Sequence, residues 1–133
     1  MKTLGGLLLS AATYLLASLL LVLIVQVALP GEVDPQGHVA GRTTLALDLC
    51  ANAVACFLAG AVASDRARGA AKWPRLAACG AILGIAAMST IAFWNATPAW
   101  YNWAILGTTP LFVATGLSWR DAVRDAAQSA GAP

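Results

Sequence analysis

Two long stretches without a charged residue dominate this chain of 133 residues. No Asp, Glu, Lys or Arg interrupts residues 3–31 or residues 76–119. Only 11% of the chain is charged, less than half of the roughly 25% found in soluble domains. Uncharged apolar runs of this length are typical of membrane-spanning helices. The sequence therefore predicts an integral membrane protein that contacts the lipid bilayer, and it excludes a soluble enzyme, a nucleic-acid-binding domain and a disordered tail.

The apolar residues divide into four segments, which we predict to be spans at about 3–29, 43–63, 76–93 and 101–117. The pair Pro30-Gly31 breaks the first segment. Residues 118–133 form a tail, expected to continue as a helix along the cytoplasmic membrane surface. The expected fold class is all-α, a polytopic four-helix bundle in a single transmembrane domain.

The distribution of basic residues predicts the orientation. Seven of the eight Lys and Arg residues lie at the N-terminus, between the second and third spans, or in the tail: Lys2, Arg66, Arg68, Lys72, Arg75, Arg120 and Arg124. The remaining one, Arg42, precedes the second span. Short loops rich in Lys and Arg stay in the cytoplasm, so both termini are expected there.

Asp48 is the one charged residue inside a predicted span. Thr44 and Asn52 lie one turn to either side of it on the same helix face, and Thr108 lies in the last span. A carboxylate inside a membrane is costly and should face the bundle, where it marks a site for a proton or a cation. A structural clasp, in which Asp48 and Asn52 bond to Ser10, Thr13, Tyr14 or the threonines of the last span, explains the same residues and is the interpretation that we prefer.

Aromatic side chains cluster where the third and fourth spans meet the outer surface: Trp94, Trp100, Tyr101 and Trp103. Trp and Tyr favour the lipid headgroup region. Anchoring in lipid accounts for this cluster, and contact with a bound lipid or a partner protein is the alternative.

Small residues recur at helical spacing in each span, and Gly80 and Gly84 form a G-x-x-x-G pair in the third. Helices in lipid associate through such faces because small residues let the backbones approach. The predicted packing faces are 6, 10, 13 and 17; 44, 48, 52, 55 and 59; 77, 80, 84 and 87; and 104, 108, 111 and 115. They predict a compact bundle that also packs on another membrane protein or on a second copy of itself.

Known catalytic and cofactor motifs are absent from the sequence. Cys50, Cys56 and Cys79 make no C-x-x-C pair, and His38 is a single histidine in a predicted loop. No nucleophile elbow, phosphate loop or Ser-His-Asp set is present. We therefore expect no metal, no cofactor and no catalytic residue.

Two stretches resemble a pattern found in small, uncharacterised bacterial four-span integral membrane proteins. The first is Ala59-Gly60-Ala61-Val62-Ala63 with the basic loop after it. The second is Pro98-Ala99-Trp100-Tyr101 followed by Pro110, Gly116 and Arg120. The resemblance implies this topology and the bacterial cytoplasmic (inner) membrane, and it implies no activity.

Three functions fit the sequence. The first is a non-catalytic accessory or assembly subunit that acts through helix packing, because the chemistry is inconspicuous and the loops are short. The second is a small oligomeric transporter or channel that uses Asp48 and Asn52. The third is a lipid-modifying enzyme with its site at the outer aromatic cluster, for which no nucleophile and base are evident.

Overall fold

The computed structural model describes residues 2–28, 41–66 and 73–130. These residues form four helices: α1 (Lys2–Ala28), α2 (Arg42–Arg66), α3 (Trp73–Ala92) and α4 (Ala99–Ala130). The prediction of an all-α fold is confirmed. The loops predicted around Pro30 and His38 and around Arg68 and Lys72 lie outside the described residues.

Three helices are long and apolar enough to cross a membrane, over Leu8–Ala28, Arg42–Ser64 and Arg75–Ala92. They coincide with the first three predicted spans. Helix α4 includes the predicted fourth span and most of the tail in one continuous element, with Pro110 inside it. In α1, the side chains of Leu16, Leu20 and Val27 are largely exposed. A helix with so much exposed leucine and valine needs a lipid environment, which supports a membrane protein.

Helix α2 lies at the centre of the bundle and packs most extensively on α4 and α1. The core consists of one residue from α1, three from α2, one from α3 and one from α4: Tyr14, Ala55, Cys56, Ala59, Ile82 and Val113. The Ser10 hydroxyl donates to the Ala59 carbonyl across 2.8 Å and joins α1 to α2. Small-residue spacing therefore predicted the packing faces of α1 and α2 correctly. The buried positions on these faces are 10, 44, 52, 55 and 59.

Two glycines allow α2 and α4 to approach closely. A Cβ atom on Gly60 would overlap the Val113 carbonyl oxygen, and one on Gly116 would overlap the Phe57 carbonyl oxygen. Both glycines lie in the stretches that carry the resemblance to four-span proteins. The close contact of the two backbones explains why small residues are needed at these positions.

The packing face of α4 differs from the predicted one by about one residue, and the packing face of α3 lies on nearly the opposite side of the helix from the predicted one. Gly80 and Gly84 are exposed, and a Cβ on either would meet nothing within 4 Å. The buried residues of α3 are Ala78, Ile82, Ala86 and Thr90, and those of α4 are Asn102, Ile105, Thr109, Val113 and Gly116. One residue corresponds to a rotation of about 100° around a helix. Packing of Gly80 and Gly84 on another chain stays a prediction.

Candidate functional site

A cavity of about 370 Å³ lies near the end of the bundle where a turn joins α3 to α4. All four helices contribute to its wall, and α1 does so with one face at intervals of four residues. The lining residues are Tyr14, Ser18, Val22 and Gln26 of α1; Leu45, Asp48, Ala51 and Asn52 of α2; Ser89 and Thr90 of α3; Phe93, Ala96 and Thr97 of the turn; and Tyr101, Asn102 and Ile105 of α4. We call this space the Asp48 cavity.

Asp48 lines the cavity and accepts a hydrogen bond from a residue of α4. The Tyr101 hydroxyl donates to the Asp48 carboxylate oxygen Oδ2. Both side chains are partly exposed, so the pair lies at the cavity surface and not in the closed core. The sequence assigned Asp48 to an intramembrane polar set and Tyr101 to the outer aromatic cluster. The structure brings these two residues together.

Asn52 has a different environment from Asp48, although it lies one turn away on the same helix. Its side-chain oxygen accepts a hydrogen bond from the Tyr14 hydroxyl at 2.9 Å, and its amide nitrogen donates to the Thr109 hydroxyl at 3.3 Å. The Thr109 hydroxyl in turn donates to the Ile105 carbonyl at 2.8 Å. These bonds tie α1, α2 and α4 together. We call Tyr14, Asn52 and Thr109 the Asn52 clasp.

The other two residues of the predicted polar set, Thr44 and Thr108, are not among the residues that line the cavity. Thr44 is fully buried. Thr108 donates to the Ala104 carbonyl of its own helix at 2.7 Å, and the neighbouring Thr109 is the threonine that meets Asn52. Thr108 and Thr109 point to different faces of α4 because successive helical residues are about 100° apart.

Asn102 and Thr97 are cavity residues that sequence reasoning missed. Asn102 is 1% exposed, accepts a hydrogen bond from Thr97 at 2.6 Å and donates to the Trp94 carbonyl at 3.2 Å. These bonds hold the turn at residues 93–98 against the start of α4. A spacing of two helical turns between Asn102 and Thr109 is the signal that could have placed both on one polar face.

The aromatic cluster predicted from the sequence lies in the turn between α3 and α4 and in the first turns of α4, at the cavity end of the bundle. Trp94, Trp100 and Trp103 are 37%, 51% and 66% exposed, and none of them lines the cavity. Trp94 and Trp103 meet edge to face with their ring centroids 5.8 Å apart. Of the four predicted aromatic residues, Tyr101 is the one that faces the cavity. Contact of the three tryptophans with lipid or a partner stays a prediction.

A cluster of ion pairs lies at the opposite end of the bundle, around Asp121 of α4. Its carboxylate accepts hydrogen bonds from Ser64 of α2 at 2.6 Å, from Arg75 of α3 at 2.7 and 3.3 Å, and from Arg124 at 2.8 Å. The pKa of Asp121 is lowered, and the largest cause is the hydrogen bond from the Ser64 hydroxyl. The hydrogen bonding and charge of Arg75 and the charge of Arg124 lower it further. Asp121 thus joins α4 to α2 through a hydrogen bond from Ser64 and to α3 through an ion pair with Arg75.

No family model, curated protein or solved structure matches this chain. The geometry and the chemistry of the Asp48 cavity are therefore the basis for a functional conclusion.

Proposed function

We propose that this protein is a small membrane transporter that binds a solute in the Asp48 cavity. The observation that supports this most directly is a cavity, walled by all four helices, that combines apolar side chains with the one acidic residue of the predicted spans. Ligand sites in proteins are typically concave, partly apolar and provided with a few polar groups. A carboxylate kept within a membrane protein is a functional site by default, because its burial is costly.

The transporter hypothesis requires a defined arrangement in the membrane. We propose that α4 is the fourth span, with both termini in the cytoplasm of a bacterium and the cavity near the outer surface of its inner membrane. The seven-to-one distribution of basic residues supports the orientation. The absence of charge from residue 99 to residue 119 and the close packing of α4 on α2 support the span.

The two other functions receive less support from the site. An accessory or assembly role is favoured by one observation, the exposed face of α3 with Ala77, Gly80 and Gly84, which could pack on another membrane protein or a second copy. A lipid-modifying enzyme needs a nucleophile beside a base. The described cavity lining has no Cys, His or Lys, and its carboxylate is bonded to Tyr101.

Uptake into reconstituted vesicles tests the transporter hypothesis. Vesicles containing the full chain are incubated with a mixture of small cationic, neutral and anionic solutes, and their contents are quantified by mass spectrometry. We expect at least one solute to enter faster than into protein-free vesicles, and Asp48→Asn to abolish this uptake. Asp125→Asn is the matched control, because it makes the same chemical change at an exposed position near the opposite end. Uptake no faster than into protein-free vesicles would contradict the hypothesis.

Labelling of single cysteines tests the arrangement in the membrane. In a variant with the three native cysteines changed to alanine, Asn95→Cys and Ser129→Cys each introduce one thiol, in the turn and near the end of α4 respectively. With an impermeant maleimide, we expect Asn95→Cys to react from the outside of intact cells and Ser129→Cys to react only after the membrane is opened. Reaction of both from the same side would show that α4 does not cross.

A further inference from the structure

We infer that the solute taken by the Asp48 cavity is a small organic cation, with an ammonium group that pairs with Asp48. This inference rests on the proposed function only in treating the cavity as a solute site, and it adds the chemical class of the solute.

The charge of the cavity favours a cation. Asp48 is the only acidic residue of the described lining, and the lining includes no Lys, Arg or His. Arg42 lies at the start of α2, exposed and outside the lining, whereas Arg75, Arg120 and Arg124 of α3 and α4 lie towards the Asp121 end of the bundle. A buried charge is stable when it is paired and hydrogen-bonded. Tyr101 provides the carboxylate with a neutral donor, and a cation would provide the opposite charge.

The hydroxyl groups of the cavity act mainly as acceptors towards a ligand. The Ser89 and Thr90 hydroxyls both donate to the Ala86 carbonyl, at 2.9 and 2.8 Å. The Thr97 hydroxyl donates to Asn102 at 2.6 Å. A hydroxyl has one proton and two acceptor lone pairs. Once the proton is committed to another protein group, the oxygen is left to accept.

The two tyrosines follow the same pattern, because Tyr14 donates to Asn52 and Tyr101 donates to Asp48. Five hydroxyl groups of the lining have therefore committed their protons within the protein. An ammonium group has three donors and no acceptor, so it complements the carboxylate and these five hydroxyl oxygens. Among the described residues the sixth hydroxyl of the lining, that of Ser18, has no hydrogen-bond partner and can donate or accept. A carboxylate or phosphate ligand would meet acceptors and a like charge.

The size and the apolar part of the wall favour an organic cation over a metal ion. A volume of about 370 Å³ is at the lower end of the roughly 300–1,000 Å³ found for small-molecule sites. Val22, Leu45, Phe93 and Ile105 provide apolar surface for a hydrocarbon portion. The rings of Phe93 and Tyr101 can also stabilise a cation through their faces. Among the described residues, no group of three or more His, Cys, Asp or Glu side chains could hold a metal.

Binding of three matched probes tests the inference. Phenethylamine, 2-phenylethanol and 3-phenylpropionate combine a similar apolar body with a positive, neutral or negative group. Each is titrated by calorimetry into the full chain in nanodiscs of zwitterionic lipid, and the signal from empty nanodiscs is subtracted. We expect saturable binding of the amine, with an affinity about tenfold or more above that of the alcohol, and no binding of the acid.

Variants of Asp48 show whether the carboxylate determines this preference. Asp48→Asn should weaken amine binding about tenfold or more and leave alcohol binding unchanged. Asp48→Glu keeps the charge and should retain the preference for the amine, and Asp125→Asn should behave like the wild type.

Each contrary result has a distinct meaning. Equal binding of amine and alcohol that Asp48→Asn does not change would overturn the cation and leave a solute cavity. Absence of binding by all three probes would overturn the inference, whatever the uptake assay gives. Amine binding that depends on Asp48, together with a failed uptake assay, would retain the inference and refute transport.

Discussion

At the scale of the residue, Asp48 and Asn52 make different contacts, although their spacing places them on the same face of α2. They lie one turn apart on α2, and the sequence grouped them as one polar site. Asn52 is 9% exposed and bonds to α1 and α4, so it is part of the clasp. Asp48 is more exposed and contacts Tyr101 at the cavity wall. The structural and the functional hypotheses for this pair therefore apply to different residues.

Loss of the Asn52 side chain should destabilise the bundle more than loss of one of its partners. Asn52→Ala leaves the hydroxyls of Tyr14 and Thr109 without their bonds to it, and we expect a loss of about 1–2 kcal/mol. Tyr14→Phe removes one hydrogen bond and should cost about 0.6 kcal/mol. Reversible unfolding in mixed detergent micelles measures both. Equal, negligible losses would show that the clasp does not stabilise the fold.

The Asp121 carboxylate gives a dependence of stability on pH. Its pKa is below the usual 3.8 in the folded chain because Ser64 and Arg75 stabilise its charge. The unfolded chain therefore takes up this proton first, so the stabilisation is present above about pH 4 and is lost as the pH falls through the folded pKa. The effect should be modest, because the side chain is 27% exposed and solvent screens the pairs.

Melting temperatures at about pH 3 and pH 6 measure this contribution. Asp121→Asn should have a smaller difference between the two pH values than the wild type. Asp125→Asn, on the same helix, is the control and should keep the difference of the wild type. An unchanged difference in Asp121→Asn would show that this carboxylate does not contribute.

At the scale of the element, periodicity predicted the helices and the faces of α1 and α2 but not the faces of α3 and α4. Alanine and glycine are so frequent in α3 that the faces through Gly80 and through Ala78 look alike in sequence. In a membrane, apolarity does not distinguish a buried face from a lipid-facing one. The choice is made by tertiary contacts, such as those of Ile82 and Val113 in the core, which a single sequence does not contain.

Polar residues lower the hydropathy of α4. This helix is not among the three that are long and apolar enough to cross a membrane. Its buried face includes Asn102 and Thr109, and Tyr101 lies at the cavity wall. The polar residues of α4 that line the cavity or belong to the clasp therefore lower the mean hydropathy of this helix. Asp48 could be singled out from the sequence. Its contact with Tyr101, 53 residues away, could not be predicted because it depends on how α2 and α4 pack.

Glycine substitutions test the contact between α2 and α4. Gly116→Ala places a Cβ against the backbone of Phe57 and Ala61, and we expect a loss of about 1–3 kcal/mol because neither backbone can move freely. Gly80→Ala makes the same change where nothing lies within 4 Å. It should be neutral or stabilise the helix by up to about 1 kcal/mol. Unfolding in detergent compares them, and similar effects of the two changes would contradict the close approach.

At the scale of the whole molecule, the two ends of the bundle differ in chemistry. One end contains a cavity with a single carboxylate and has three exposed tryptophans in the turn and at the start of α4. The other end joins α2, α3 and α4 through the hydrogen bond from Ser64 and the ion pair with Arg75 that Asp121 makes. The clasp and the glycine contacts lie between the ends and fix the helices that shape the cavity. The candidate site thus lies at one end of the bundle and the ion pairs at the other.

The central claim is that the cavity is accessible and attracts cations because of Asp48. Ala51 lines the cavity and is replaced by cysteine, after Cys50, Cys56 and Cys79 have been changed to alanine. The measurement is the rate at which this thiol reacts with methanethiosulfonates that carry a trimethylammonium or a sulfonate group, each relative to a free thiol in solution.

We predict that the cationic reagent reacts about tenfold faster than the anionic one after this normalisation, and that Asp48→Asn removes the difference. No reaction of the introduced cysteine, or a preference for the cation that persists in Asp48→Asn, would contradict the account.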